Sequence, residues 1–194
     1  YRIWSYGKLG FDQTHKLVVS YLWELPKLSR LLPHPAVRHV FDNWEWNGIT
    51  TFSSGTPSGI GLSTVDNADI TGGGDGARVV IVGKAELPRD ERTFNRRFNT
   101  SAFARPARGD FGNAPKDVFR LPGINNWDLT FLKKFPLGGQ EKRYFQLRWE
   151  MYNAFNHAQS RGVDTGARFD VDGRQVNARF GQATSTRFPR IMQA

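Results

Sequence analysis

Two stretches in the C-terminal half alternate apolar and polar residues over ten or more positions, and no other feature restricts the fold as much. From Asn126 to Phe135, Trp127, Leu129, Phe131 and Phe135 fall on one face, with Asp128, Thr130, Leu132 and Lys134 on the other. From Lys142 to Phe155, Phe145, Leu147, Trp149, Met151 and Phe155 oppose Tyr144, Gln146, Arg148, Glu150 and Tyr152. A period of two belongs to a β-strand. The rival for the second stretch is a helical stripe of Tyr144, Leu147, Met151 and Phe155, which leaves Phe145 and Trp149 off the stripe. The strand accounts for all five large odd-numbered residues. Pro136-Leu137-Gly138-Gly139-Gln140 between the stretches predicts a tight reversal.

Weaker alternation appears earlier. Between Thr14 and Leu25 the odd positions Leu17, Val19, Tyr21, Trp23 and Leu25 are apolar, and the even ones, Lys16, Val18, Ser20, Leu22 and Glu24, are mixed. Between Val40 and Ser53, Trp44, Trp46 and Phe52 oppose Asn43, Glu45, Asn47 and Thr51. Strands are thus expected near 14–25, 40–53, 126–135 and 142–155, with a last one starting within 188–194. The segment 54–125 holds the Gly72–Gly76 cluster and reads as one long irregular loop with a short strand near 77–82, of the kind that is functional or mobile. The expected fold class is all-β, an antiparallel meander.

An alternating sheet with one apolar face is first of all the pattern of a soluble sandwich. Strand length argues otherwise, because ordinary strands run five or six residues and membrane-spanning ones about nine to eleven. Lys16, Glu24, Asp128, Arg148 and Glu150 on the opposite face would then line a watery lumen instead of lying buried between sheets. Lys133 and Arg143 interrupt the apolar face together beside the reversal, as expected where long side chains snorkel to headgroups. The connections alternate short and long, and barrels place long ones outside the cell. That rhythm assigns Ser54–Asn125 and Ala158–Phe188 to the exterior. The expectation is a partial segment of a transmembrane β-barrel with long external loops, in contact with outer-membrane lipid. Residues 1–194 read as an incomplete C-terminal barrel segment that starts mid-protein, since Tyr1-Arg2-Ile3-Trp4-Ser5 shows no leader.

Other function classes find little support. The chain has no Cys, which rules out disulfides and thiolate metal sites. Its formal charge of +9 comes from scattered basic residues with no long run, so no nucleic-acid partner is expected. The uncharged stretch Gly48–Val65 is too rich in Gly, Ser, Thr and Pro for a membrane helix. His15, His34, His39 and His157 lack metal spacing. Asp170-Val171-Asp172-Gly173 opens like a calcium loop but lacks the later ligands and closing Glu, and Arg108-Gly109-Asp110 is a tripeptide in a polar loop. No nucleophile elbow, P-loop or dinucleotide fingerprint occurs. Glu45 with Glu150, or Asp128 with Glu150, could act as paired carboxylates. The same residues suffice as lumen charges, with Asp128 opposite or diagonal to Arg148 as an ion pair. No enzyme is expected, and no catalytic, cofactor-binding or metal-binding residue is assigned. The alternatives are a soluble β-rich module binding carbohydrate or polyanion, and a hydrolase-like protein with a carboxylate site.

One ordered series of phrases goes further. It runs Trp44-Glu45-Trp46-Asn47-Gly48-Ile49, Ser54-Gly55-Thr56-Pro57, Phe98-Asn99-Thr100-Ser101-Ala102-Phe103, Gly112-Asn113 and Pro122-Gly123 before Asn126-Trp127-Asp128. It continues with Phe145-Gln146-Leu147-Arg148, Tyr152-Asn153-Ala154-Phe155-Asn156-His157, Phe180-Gly181 and Arg190-Ile191-Met192-Gln193. The series resembles the C-terminal barrel region of TonB-dependent outer-membrane receptors, in particular the Oar-like group with a carboxypeptidase-regulatory-like domain. Members of that group continue from the last phrase into a closing apolar strand, whereas this chain stops at Ala194. The resemblance implies a Gram-negative outer membrane, and transport or binding of a bulky, unidentified ligand at the cell surface. It also implies partners outside these residues: the remainder of the barrel, its plug, and a TonB-type energy-coupling protein. No cofactor is implied.

Overall fold

The computed structural model describes residues 5–74, 76–137 and 140–194, with the side chains of 140–142 excluded; the expected reversal at Gly138-Gly139 lies outside the described residues. In chain order the first strands are β1 (Lys16–Glu24), β2 (Trp44–Ser53), β3 (Pro57–Ser58), β4 (Gly61–Thr64) and β5 (Val80–Ile81). Then come β6 (Phe103–Ala104), β7 (Phe119–Arg120), β8 (Ile124–Leu137) and β9 (Gln140–Tyr152). The last are β10 (Ser160–Val163), β11 (Gly166–Phe169), β12 (Ala183–Thr186) and β13 (Ile191–Gln193). A short helix α1 (Pro35–Phe41) and 3-10 turns at Leu28–Arg30 and Thr100–Ala102 complete the elements. The chain divides into two compact units, one formed by 15–53, 124–158 and 188–194 and the other by 1–14, 54–123 and 159–187.

The first unit is a five-stranded sheet in the order β1-β2-β8-β9-β13, every pair antiparallel. Its long strands follow one another in sequence, which is a meander. β2 begins at Trp44 instead of Val40, because Pro35 at the first turn and the His34 side chain accepting from the Ala36 N–H start α1, which takes up Val40 and Phe41. Asn43, at φ 59°, then turns the chain into the strand. β9 ends at Tyr152, before Phe155, because Asn153 at φ 49° leaves the extended region.

The Asn153 side chain holds that exit. It is buried, donates from Nδ2 to the carbonyls of His157 and Phe188 at 3.2 and 3.3 Å, and accepts from the His157 N–H at 3.0 Å. One amide therefore ties the end of β9 to the return toward β13.

The second unit overturns the reading of 54–125 as irregular loop. Ile60, Val79, Ala85, Phe98, Ala102, Phe103 and Ala114 form one buried core with Ala167, Phe169 and Phe180. The core draws on both long connections, since β4 pairs in parallel with β11 and Val65 N–H donates to Phe169 O at 2.9 Å. Short strands suffice because aromatic burial supplies the stability that ladder length does not. The expected strand at 77–82 contracts to Val80–Ile81.

Candidate membrane-facing surface and polar face

The cross-strand register sorts the paired residues of the long strands to two faces. Tyr21 lies opposite Gly48, Gly48 opposite Leu129, Leu129 opposite Met151 and Met151 opposite Met192. One rung along, Trp23, Trp46, Phe131 and Trp149 are successive partners. The apolar sets seen separately in the sequence therefore join into one surface.

Ring contacts run across it. Trp46 stacks on Phe131 with centroids 5.9 Å apart and planes at 4°, Tyr21 meets Trp46 edge-on at 5.9 Å, and Phe131 approaches Trp149 at 6.3 Å. Trp127 stands between Phe52 at 5.7 Å and Phe155 at 5.4 Å. Leu129 is buried where Gly48 leaves room, because a Cβ on Gly48 would stand 3.0 Å from Leu129 Cδ2. Most of the surface remains uncovered, Trp23 at 57% and Trp149 at 47%. A patch of this extent is unfavourable in water. The ten steps from Asn125 to Phe135, at about 3.3 Å each and tilted about 40°, rise about 25 Å, the height of a barrel's apolar band.

The other face carries the charges. Glu45 Oε2 accepts from Lys134 Nζ at 3.2 Å and its Oε1 from Asn47 Nδ2 at 3.3 Å. Glu150 binds Arg148 at 3.4 Å, Tyr152 Oη at 3.1 Å and Gln193 Nε2 at 2.6 Å. Asp128 Oδ1 accepts the Asn153 N–H at 2.9 Å, and Arg148 stands opposite Leu132, so the expected Asp128–Arg148 pair is replaced by Arg148–Glu150. The displacement follows from register: Leu129 opposite Met151 puts Asp128 four residues from Arg148's rung. Glu45, Asp128 and Glu150 are thus each engaged by a separate partner. Partly exposed ion pairs of this kind stabilise little and suit a wet surface.

Lys133 departs from expectation. It lies on the apolar face, yet instead of snorkelling it is only 2% exposed, with its ammonium donating to the Asp42 carbonyl and lying 5.7 Å from the Trp44 ring and 5.1 Å from Phe135. Arg143 is exposed. Asp42 is itself held by Ser29, whose N–H donates to Oδ1 at 3.0 Å and whose hydroxyl donates to Oδ2, and these bonds lower the Asp42 carboxyl below its ordinary value.

Several of the remaining sequence candidates make local contacts. His34 caps α1 and His157 Nδ1 lies 3.2 Å from Asn125 O. The Asp170 carboxylate accepts the Arg174 N–H at 2.7 Å within the turn closed by Gly173, φ +82°. Gly109 N–H donates to Ile70 O and Asp110 accepts from Gly112 N–H. Among the described residues no group of three or more His, Cys, Asp or Glu is placed to hold a metal ion. The signal missed in the sequence was the Asp42–Ser29–Lys133 link, whose members are 13 and 91 positions apart.

A sheet with one continuous aromatic face at bilayer height, and a charged, wettable face behind it, is the wall of a transmembrane β-barrel. The sequence model of the outer membrane beta barrel domain family matches residues 2–193, and the chain belongs to that family. It is an outer-membrane protein, and the soluble-module alternative falls with that assignment. No curated protein and no solved structure is significantly similar to it.

Proposed function

We propose that this barrel segment belongs to a TonB-dependent receptor that takes up, or binds, a bulky ligand at the cell surface. The observation that carries the reading is the second unit. The two long connections, one after β2 and one after β9, build a single hydrophobic core, with Phe98 from one and Phe169 and Phe180 from the other. Both leave the sheet at the same end, because Ser53 lies opposite Ile124 and Ile191 opposite Tyr152. Long connections at one end are external in such barrels, and a folded external body is a surface on which a large ligand can be held.

The ordered phrases support the same family, and their structural roles agree with it. The Phe98–Phe103 phrase supplies core rings and Asn113 pairs with the Ile81 backbone through both Oδ1 and Nδ2. In this reading Lys134, Arg148 and Glu150 line a lumen and have no catalytic role. The partners are membrane lipid, the rest of the barrel and its plug, and a TonB-type energy-coupling protein that engages other parts of the receptor.

The test is uptake in the source bacterium. Medium components consumed by the wild type and spared by a strain lacking this gene should also be spared when the energy-coupling protein is depleted. Loss of uptake on gene deletion that is unaffected by that depletion would contradict the TonB assignment while leaving the barrel intact.

A further inference from the structure

The connection between β1 and β2, residues 25–43, is the segment of the sheet unit that neither the barrel wall nor the ligand reading explains. Leu31, Leu32, Val40 and Phe41 are exposed at 78, 59, 54 and 52%, which costs free energy in water. They do not form a separate patch. Trp44, on the aromatic face, donates from Nε1 to Val40 O at 2.8 Å, and Lys133 on the same face donates to Asp42 O. These bonds tie the Val40–Asp42 end of the connection to residues of the lipid-facing surface.

The same connection is basic. Lys27, Arg30 and Arg38 form no ion pair within 4 Å among the described residues; the segment's one carboxylate, Asp42, is hydrogen-bonded by Ser29 and attracted at longer range by Lys27 and Lys133. Arg38 lines a cavity of about 590 Å³ with His34, His39 and Lys134 that no carboxylate lines, and it also borders an adjoining one of about 570 Å³ where Lys27 and Arg38 stand with Glu24, Asp42 and Glu45. Apolar side chains beside a cluster of basic ones form a surface that suits the boundary between headgroups and acyl chains.

We infer that the connection 25–43 is an interfacial anchor selective for anionic phospholipid, with Leu31, Leu32, Val40 and Phe41 in the acyl boundary. Lys27, Arg30 and Arg38 meet the headgroup phosphates, and the Arg38 cavity admits one of them. The inference rests on the outer-membrane assignment and adds a lipid preference to it. It places the end of the sheet that carries this connection at headgroup level.

The experiment uses the full protein in nonionic detergent at low salt, titrated with short-chain phosphatidylglycerol, short-chain phosphatidylcholine and inorganic phosphate. Removing one basic residue near an anionic surface should weaken binding about fivefold, and removing three about a hundredfold. The protein should bind phosphatidylglycerol about a hundredfold tighter than phosphatidylcholine. Lys27→Gln/Arg30→Gln/Arg38→Gln should abolish that preference, whereas Leu31→Ser/Leu32→Ser should weaken both lipids and keep their ratio. Equal affinity for the two lipids, or a preference that survives the triple substitution, would overturn the anchor. So would inorganic phosphate binding as tightly as phosphatidylglycerol, which would mean a free-anion site. A protein that is β-rich in detergent yet shows no preference loses the anchor alone. One that is not β-rich there loses the membrane reading and the anchor together.

Discussion

Phe98→Ala should melt the second unit as a whole while the long sheet keeps its protection. The Phe98 side chain is 1% exposed, with ring centroids 4.7 Å from Phe119, 5.1 Å from Phe180 and 5.7 Å from Phe103. Truncating a buried phenylalanine costs about 3–5 kcal/mol, within which three ring pairs contribute about 0.5–1.5 kcal/mol each. Phe98→Leu keeps most of the volume and should cost about 1.5 kcal/mol. Amide hydrogen exchange on the full protein in micelles reads the difference. The informative amides bridge the two connections: Val65 to Phe169 O, Arg97 to Gly181 O and Ala183 to Phe94 O. In Phe98→Ala all three should lose about a hundredfold or more of protection together, while amides between β2 and β8 are unchanged. If Arg97 loses protection and the Val65 and Ala183 amides keep theirs, the two connections do not share one cooperative core. That result would refute the reasoning.

Gly112→Ala should also destabilise this unit, since Gly112 has φ +76° and its added Cβ would lie 2.0 Å from Arg78 O; a loss of about 2 kcal/mol or more by denaturant titration is expected. Asn153→Ala leaves the carbonyls of His157 and Phe188 without their donor and should cost about 2–3 kcal/mol, read as faster exchange at β13. Asp12, held by a hydrogen bond from Arg120, and Asp69, held by the Gly74 N–H, both have lowered carboxyl pKa values. Their contribution is complete above the unfolded value near 3.8 and lost as pH falls through the lower folded values, so stability of the second unit should be flat from neutrality to about 5 and then decline. Asp12→Asn should flatten part of that decline in a pH series of exchange rates.

The sheet was legible because its evidence is local. Trp127, Leu129 and Phe131 announce a face at a spacing of two, and the pairing of faces between strands then follows from the register. Boundaries were less legible, since α1 begins with a Pro and a capping His that also fit a connection, and Asn153 ends β9 by a backbone angle that no alternation reports. The second unit was hidden for another reason. Its core joins Phe98 to Phe169 and Phe180 across most of the C-terminal half, and its strands of two to four residues have no period to detect. The Asp128–Arg148 pair was misassigned because the register sets the two four residues apart and leaves Glu150 nearer to Arg148. Among the charged residues, Lys133 could be placed on its face from sequence, but not the Asp42 carbonyl that receives it.

The most direct test of the barrel wall is a pair of adjacent substitutions in β1. Val19 lies on the aromatic surface, opposite Thr50, and Ser20 on the charged one, opposite Ile49. With the full protein refolded into lipid vesicles, Val19→Arg should destabilise by about 2–4 kcal/mol, as an arginine in the hydrocarbon does, and Ser20→Arg by less than about 1 kcal/mol. Equal costs, or a larger cost at Ser20, would contradict the assignment of the aromatic face to lipid.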